Sequence, residues 1–323
     1  MEINLTQLQN IANKVAEPQR VKVLILGAGP AGLSAALYTA RANLQPVVLT
    51  GMTFGGQVSL TYTIENYPGF PEGVGGQELS ELFKKQAERF GARIEYNTVT
   101  KVDCSQRQFQ VATYGAVYLA DSLIIATGAD PRHLNVPGEM ELTGRGVSYC
   151  ATCDGWFFKE KDVVVVGGGD SALEESLFLT RYVRSVTIVH RREELRAGAI
   201  LQKRAAENPK IRFIYNTVLT GIEGVEAVKA VRTKNRLTGA EESLPVDGVF
   251  IFIGHTPNTQ LFHGQVEMDA HGYIRTDLLM HTSVPGIFVA GEAGDPDHRQ
   301  VVTSAGMGAA AGMQAAKFIG ELG

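Results

Sequence analysis

Two stretches of this chain repeat one pattern of apolar and polar positions. Residues 21–26 form an apolar run, the mark of a strand buried on both faces. Gly27, Ala28, Gly29, Pro30, Ala31 and Gly32 follow directly, and Leu33, Ala36, Leu37 and Ala40 then recur at helical spacing. A second strand over 45–49 completes a β-α-β unit. The order returns with an apolar run at 162–166, the turn Gly167, Gly168, Gly169, Asp170, Ser171 and Ala172, a helix to about Tyr182 and a strand at 186–189. Between the two units the pattern predicts a Gly/Pro loop at 68–76, a helix over 78–90 and strands at 93–96, 109–113 and 122–126. Beyond them it predicts a strand at 249–253 and a closing helix over 304–322. Residues 286–291 resemble 123–128, both being apolar strands that end in small residues.

The expected fold class is therefore α/β, with two Rossmann-like dinucleotide-binding domains, one inserted into the other. The chain leaves the first domain near Asp130 and re-enters it near Asn258. The domain reading is 21–130 with 258–323 as one body, 131–257 as the insertion, and 1–20 as an extension. In that extension Leu5, Leu8, Ile11, Ala12 and Val15 predict a short amphipathic helix docked on the protein's own surface.

Composition narrows the partners. A net charge of −4 with interspersed signs gives no electrostatic reason for nucleic acid or an anionic membrane. No apolar stretch is long enough to span a bilayer, and the N-terminus lacks signal-peptide character, so a cytoplasmic location is expected. Three cysteines agree with a reducing compartment. The 36 glycines fall in clusters after apolar runs, where backbone must come close to phosphates.

The first turn is G-x-G-x-x-G between strand and helix. Gly27 permits the tight turn, Gly29 opens the backbone to a pyrophosphate, and Gly32 lets helix and strand approach. An acid at the end of the second strand is missing, since Thr50 and Gly51 stand there. The second turn is the G-x-G-x-x-A variant, and His190, Arg191 and Arg192 follow its second strand. Guanidinium groups at that place suit a ribose 2′-phosphate, with Arg196 on the same face if the segment is helical, so the nucleotide is NADP rather than NAD. The other reading is a solvated basic cluster paired with Glu193 and Glu194. Cys150 and Cys153, with two residues between them, favour reversible dithiol chemistry or are two unrelated buried thiols. Zinc would need a second ligand pair, and Cys104 stands alone in a polar stretch, so no metal is expected. Asp154 beside the thiols is either the proton donor and acceptor for their exchange or a turn residue. His255 is either a proton shuttle or a hydrogen-bonded hinge residue.

At these residues the chain resembles the low-molecular-weight bacterial-type thioredoxin reductases. The shared motifs include 27–32, T-G-M-T-F-G-G-Q at 50–57, E-N-Y-P-G at 65–69, A-T-G at 126–128 and C-A-T-C-D-G at 150–155. They continue with G-G-G-D-S-A at 167–172, H-R-R-E-E-L-R-A at 190–197, G-H-T-P-N-T at 254–259 and R-Q at 299–300. The resemblance implies NADPH-driven, FAD-linked reduction of thioredoxin or a thioredoxin-like protein by a homodimer. It implies FAD contacts from Gly27 to Gly32, Thr50, Gly51, Gly55, Gly56, Gln57, Asn66, Ala126, Thr127, Gly128, Gly291, Glu292, Arg299, Gln300 and Val301. For NADPH it implies Gly167, Gly169, Asp170, Ser171, Ala172, His190, Arg191, Arg192, Arg196, Ile253 and Gly254. Cys153 becomes the flavin-proximal sulfur, Cys150 the sulfur that attacks the partner, and Asp154 the acid-base residue, assisted by His255. The segments near Asp130 and Asn258 become hinges between half-reactions. Three positions depart from the family: Glu292 replaces Asp, His298 replaces Tyr and Trp156 replaces Phe. Trp156, Phe157 and Phe158 are either a partner-docking surface, with Arg145, or a core cluster. Competing readings are a related flavoprotein disulfide reductase with another donor or partner, and a non-catalytic flavin-binding redox sensor.

Overall fold

The computed structural model describes residues 17–61 and 63–322. The helix expected within 1–20 falls largely outside them. The chain divides into two compact units, one running to Asp130 and resuming at Thr256, the other spanning Pro131–His255.

The first unit opens with β1 (Gln19–Leu26), α1 (Pro30–Arg41), β2 (Val47–Leu49), α2 (Gly76–Arg89) and β3 (Arg93–Glu95). Then come β4 (Val99–Asp103), β5 (Phe109–Thr113), β6 (Val117–Ile125) and the crossing strand β7 (Ala129–Pro131). The second unit holds β8 (Val147–Ser148), α3 (Ala151–Asp154), β9 (Asp162–Gly167), α4 (Asp170–Leu179), β10 (Ser185–Val189) and α5 (Ala199–Ala206). It continues with β11 (Ile211–Ile214), β12 (Thr217–Gly224), β13 (Val228–Asn235), β14 (Glu241–Pro245) and β15 (Gly248–Phe252). The chain returns through β16 (His255–Pro257), paired with β7, to β17 (Ile287–Val289) and α6 (Val301–Glu321).

The first sheet runs β3-β2-β1-β6-β5-β4, with β17 added parallel to β6 at Leu123–Ile125. Its central strand feeds two cores, because successive side chains point to opposite faces. Leu24 and Leu26 join one core with Val111 and Phe262, while Val23 and Ile25 join the other with Ala35 and Ala311. The second unit repeats the device in the parallel sheet β11-β10-β9-β15-β8. Val163 and Val165 pack toward α4, and Val164 and Val166 toward Leu219, Ile222 and Val231 of the antiparallel sheet β12-β13-β14. Each fully buried Val or Leu contributes about 1.5–3 kcal/mol over an exposed one.

Several boundaries differ from those the pattern predicts. Gln45 has φ +48° ahead of Pro46, so β2 starts only at Val47. β6 begins five residues before Ser122, because its start pairs antiparallel with β5. α4 stops at Leu179, and α6 begins at Val301. The segment after His190 is a series of bends, not a helix.

α6 lies on α1 through small residues. A Cβ at Gly308 would stand 2.0 Å from the Ala31 carbonyl oxygen, whereas one at Gly306 meets nothing within 4 Å. We expect Gly308→Val to destabilise the protein by about 3 kcal/mol through overpacking. Gly306→Ala should instead be stabilising by about 1 kcal/mol from helix propensity. Urea denaturation of both variants checks the pair.

Candidate active site and nucleotide sites

The dithiol sits on a short loop-and-helix segment between β8 and β9. Cys150 and Cys153 form a disulfide with their Cα atoms 5.3 Å apart, which turns the two-thiol spacing into a redox pair. Cys150 caps α3 with its own sulfur, the backbone N–H of Cys153 donating to Sγ at 3.2 Å. Asp154 closes the same helix. Burial holds its carboxyl above the usual aspartate range, opposed by the Ser148 hydroxyl, which donates to Oδ2 at 2.6 Å. Asp154 is therefore a partly buried, hydrogen-bonded carboxyl and not a solvated turn residue. His255 opens β16. Cys104 is buried, and burial with the neighbouring Asp103 pushes its thiol up to about 11, so it stays protonated and unreactive.

The three aromatic residues after the dithiol separate. Phe158 enters the core against Phe250, with ring centroids 5.0 Å apart. Trp156 and Phe157 remain 52% and 43% exposed, so they face solvent beside the disulfide. Trp156 meets Tyr182 in a T-shaped pair, and the Lys159 ammonium lies over the Trp156 ring. Arg145 is exposed in the turn before β8.

Both glycine turns have the shape of a dinucleotide cradle. A Cβ at Gly27 would stand 2.2 Å from Ala126 O, and one at Gly32 would stand 1.9 Å from Gly27 O, so strand and helix meet backbone to backbone. Gly29, the cap of α1, has nothing nearer than Gly55 O at 4.0 Å, and its backbone is open to a phosphate. The segment from Thr50 to Gln57 closes over this turn, with Gly55 N–H donating to Ala28 O and Gln57 Nε2 to Asp130 Oδ1. Asn66 Nδ2 donates to Gln300 Oε1 at 3.0 Å, joining two expected FAD residues from distant parts of the chain. Thr127 Oγ1 donates to Asn258 O and Gly128 O accepts from Asn258 N–H, so the A-T-G turn is tied to the returning chain. Gly291 packs on Ala31, and Arg299 adopts φ +48° just before α6. Glu292 lies between Gly291 and Ala293, and Val301 begins α6. His298 pairs with Asp295, Nδ1 to carboxylate 3.1 Å.

In the second unit Gly167 abuts Phe252 O and Ala172, and Gly168 has the His190 ring where a Cβ would stand, 2.2 Å away. His190 is buried, with its ring nitrogens 3.1 Å from Gly167 O and Glu194 O, so it supports the turn from beneath. Asp170 Oδ1 accepts the Gly198 N–H at 2.7 Å, while Ser171 stays exposed. Arg196 and Ala197 donate their backbone N–H groups to Gly168 O, which places the Arg196 guanidinium 3.8 Å from the Gly169 Cβ position. Those bonds, not a helix, aim Arg196 at the turn. Ile253 and Gly254 follow β15, and Gly254 O accepts the Arg132 N–H.

Arg191, Arg192 and Arg196 are exposed and make no salt bridge among the described residues, Glu193 and Glu194 included. Arg236, which the sequence did not mark, joins them, its Nη1 donating to Arg191 O at 3.1 Å. It comes from the turn between β13 and β14, whose strands alternate too weakly to announce the position. Four guanidinium groups on these two segments raise the local positive potential.

Two nucleotide cradles and a disulfide paired with a shielded carboxyl define a nucleotide-dependent disulfide oxidoreductase. The signature of the pyridine nucleotide-disulphide oxidoreductases matches residues 21–316. The thioredoxin reductase of Mycolicibacterium smegmatis is 48% identical over 93% of this chain and 96% of its own. The bifunctional thioredoxin reductase/thioredoxin of Mycobacterium leprae is 46% identical over 93% of this chain and 66% of its own. The solved thioredoxin reductase of Streptococcus pyogenes aligns with a TM-score of 0.90 at 43% identity, over 94% of this chain and 100% of that one. The chain belongs to the pyridine nucleotide-disulphide oxidoreductase family and, within it, to the thioredoxin reductases.

Glu292 is pushed up to about 7, first by burial, then by Asp295 and Asp130, against the pull of Arg299. A carboxyl raised in the folded state binds its proton more tightly there than when unfolded. Its contribution is therefore complete below the ordinary glutamate value of 4.5 and is lost as pH rises toward 7. Glu292→Gln should gain stability over the wild type at pH 8 and lose that gain near pH 4.5. Chemical denaturation of both proteins at the two pH values checks it.

Proposed function

We propose that this chain is an NADPH-dependent thioredoxin-disulfide reductase, with Cys150 and Cys153 as its exchanging dithiol. The observation that carries the reading is the Cys150–Cys153 disulfide held beside the shielded Asp154. The first cradle, with the Thr50–Gln57 segment, Asn66, the Ala126–Gly128 turn and the segment from Gly291 to Val301, holds FAD. The second, with Arg191, Arg192 and Arg196, holds NADPH through its 2′-phosphate. When bound, these cofactors supply the two electrons that open the disulfide.

The chain's own groups do the rest. The Cys153 N–H is already aimed at Cys150 Sγ and stabilises negative charge as it forms there. Cys150 thiolate attacks the partner disulfide, and Cys153 then attacks Cys150 Sγ and releases the partner reduced. Asp154 keeps its proton to a higher pH than an exposed aspartate, so it is placed to donate to a leaving thiolate and to accept from Cys153. His255 assists from β16. Trp156 and Phe157, with Arg145, receive the partner next to the dithiol. The Mycobacterium leprae relative, whose name joins reductase and thioredoxin, supports thioredoxin as that partner. The working protein is a cytoplasmic homodimer, and no helix of the described residues is long and apolar enough to cross a membrane.

Anaerobic titration tests the reading. NADPH should bleach the flavin at lower concentration than NADH, and thioredoxin disulfide should restore its colour. A flavin left oxidised by both nucleotides would refute it. Arg191→Ala with Arg192→Ala should raise KM for NADPH far more than for NADH, each lost phosphate contact costing about 1.5–3 kcal/mol. Cys153→Ser should keep its flavin and lose all thioredoxin reduction in the insulin-coupled assay.

A further inference from the structure

The Ser148 hydroxyl is surrounded by more partners than one proton can serve. It is buried at the end of β8, before the disulfide. Its oxygen accepts the Cys150 N–H at 3.1 Å, and it lies 2.6 Å from Asp154 Oδ2 and 3.1 Å from Cys150 O. A serine hydroxyl has one hydrogen to give and two lone pairs to receive. With Asp154 ionised, the hydrogen goes to the carboxylate. With Asp154 protonated, the carboxylic acid donates to Ser148 Oγ, whose second lone pair is free, and the serine hydrogen turns to Cys150 O. Both arrangements satisfy every group, so neither leaves a buried polar atom without a partner.

We propose that Ser148 is a positioning residue for proton transfer at the dithiol, its hydroxyl turning between Asp154 and the Cys150 carbonyl as Asp154 loses and regains a proton. This rests on the reading of Cys150, Cys153 and Asp154 given above. In the exchange, a bond forms between Cys150 Sγ and one partner sulfur while the partner's S–S bond breaks. The leaving partner thiolate takes the proton of Asp154. The Cys153 thiol then returns a proton to Asp154, and its thiolate forms the Cys150–Cys153 bond as the mixed disulfide breaks and the second partner sulfur leaves as a thiolate, carrying the charge that Cys150 brought in. The dithiol has given two electrons and the partner has received them. Asp154 changes state twice in this cycle, and at each change Ser148 supplies the matching hydrogen-bond partner. It does so while keeping hold of the Cys150 N–H. The groups acting on Asp154 support this division: burial raises it, and Ser148 alone opposes, with no lysine, arginine or histidine contributing.

The test compares Ser148→Ala and Ser148→Thr holoenzymes with the wild type, using Asp154→Asn to identify the Asp154 signal. The carboxyl of Asp154 is titrated by carbon-13 NMR, and steady-state reduction of thioredoxin disulfide is followed across pH. In Ser148→Ala the Asp154 signal should titrate at higher pH, since the ionised form loses its donor. Its kcat should fall roughly tenfold with KM unchanged, as expected for one lost charge-assisted hydrogen bond. Ser148→Thr keeps the hydroxyl and should restore both. An unshifted Asp154 titration in Ser148→Ala overturns the proposal, and so does a Ser148→Thr enzyme as slow as Ser148→Ala. Full activity in Asp154→Asn would instead overturn the acid-base role of Asp154 itself.

Discussion

With no side chain at Gly27, the carbonyl oxygen of Ala126 comes within 2.2 Å of the place a Cβ would take, and Gly32 meets the Gly27 carbonyl more closely still. These backbone contacts fix how near α1 can come to β1 and β6, and much of the first unit follows from that distance. The N-terminal end of α1 lands over the ends of the strands with Gly29 open. The Gly55 N–H can then reach Ala28 O. α6 settles on α1 through Gly308 and Gly312, where any side chain would strike backbone of the other helix. Apolar burial drives the collapse, but the missing methyl groups decide its shape.

The second unit meets the same constraint with a different filler. The space beside Gly168 is taken by the His190 ring, whose two nitrogens face carbonyl oxygens. A neutral ring donates to only one of them, and burial holds His190 below the usual histidine range. The ring thus ties the end of β10 to the glycine turn. The arginines beyond it remain at the surface, fastened by backbone bonds: Arg196 N–H to Gly168 O, and Asn216 N–H to Arg192 O. Their peptide groups, not side-chain ion pairs, hold them in place among the described residues.

The fold was legible where one physical rule acts locally. Apolar runs within β1 and β9 and the glycines after them announce buried parallel strands and cradles without any tertiary information. β4 and the sheet β12-β13-β14 were not legible, because their strands are half-exposed and carry Thr, Lys and Glu among the Val and Ile. The dithiol, Asp154 and the arginines could be named because their chemistry follows from residue type and spacing. Ser148 and Arg236 could not, since a serine in a strand and an arginine in a turn acquire meaning only from what the fold sets within 3.1 Å of them.

The cysteines show how far surroundings, not residue type, decide chemistry. Cys104 lies beneath the sheet beside Asp103, its peptide N–H bound by Gln265, and a negative sulfur there would face both burial and a carboxylate. Cys150 has the Cys153 N–H directed at its sulfur and a shielded carboxyl, Asp154, in the same loop, so negative charge on that sulfur would be met by a donor. Thiolate exchange requires both provisions, because the thiolate is the nucleophile and each transfer leaves another thiolate to be protonated. The oxygen of Ser148 touches both at once: it accepts the Cys150 N–H and donates to the Asp154 carboxyl.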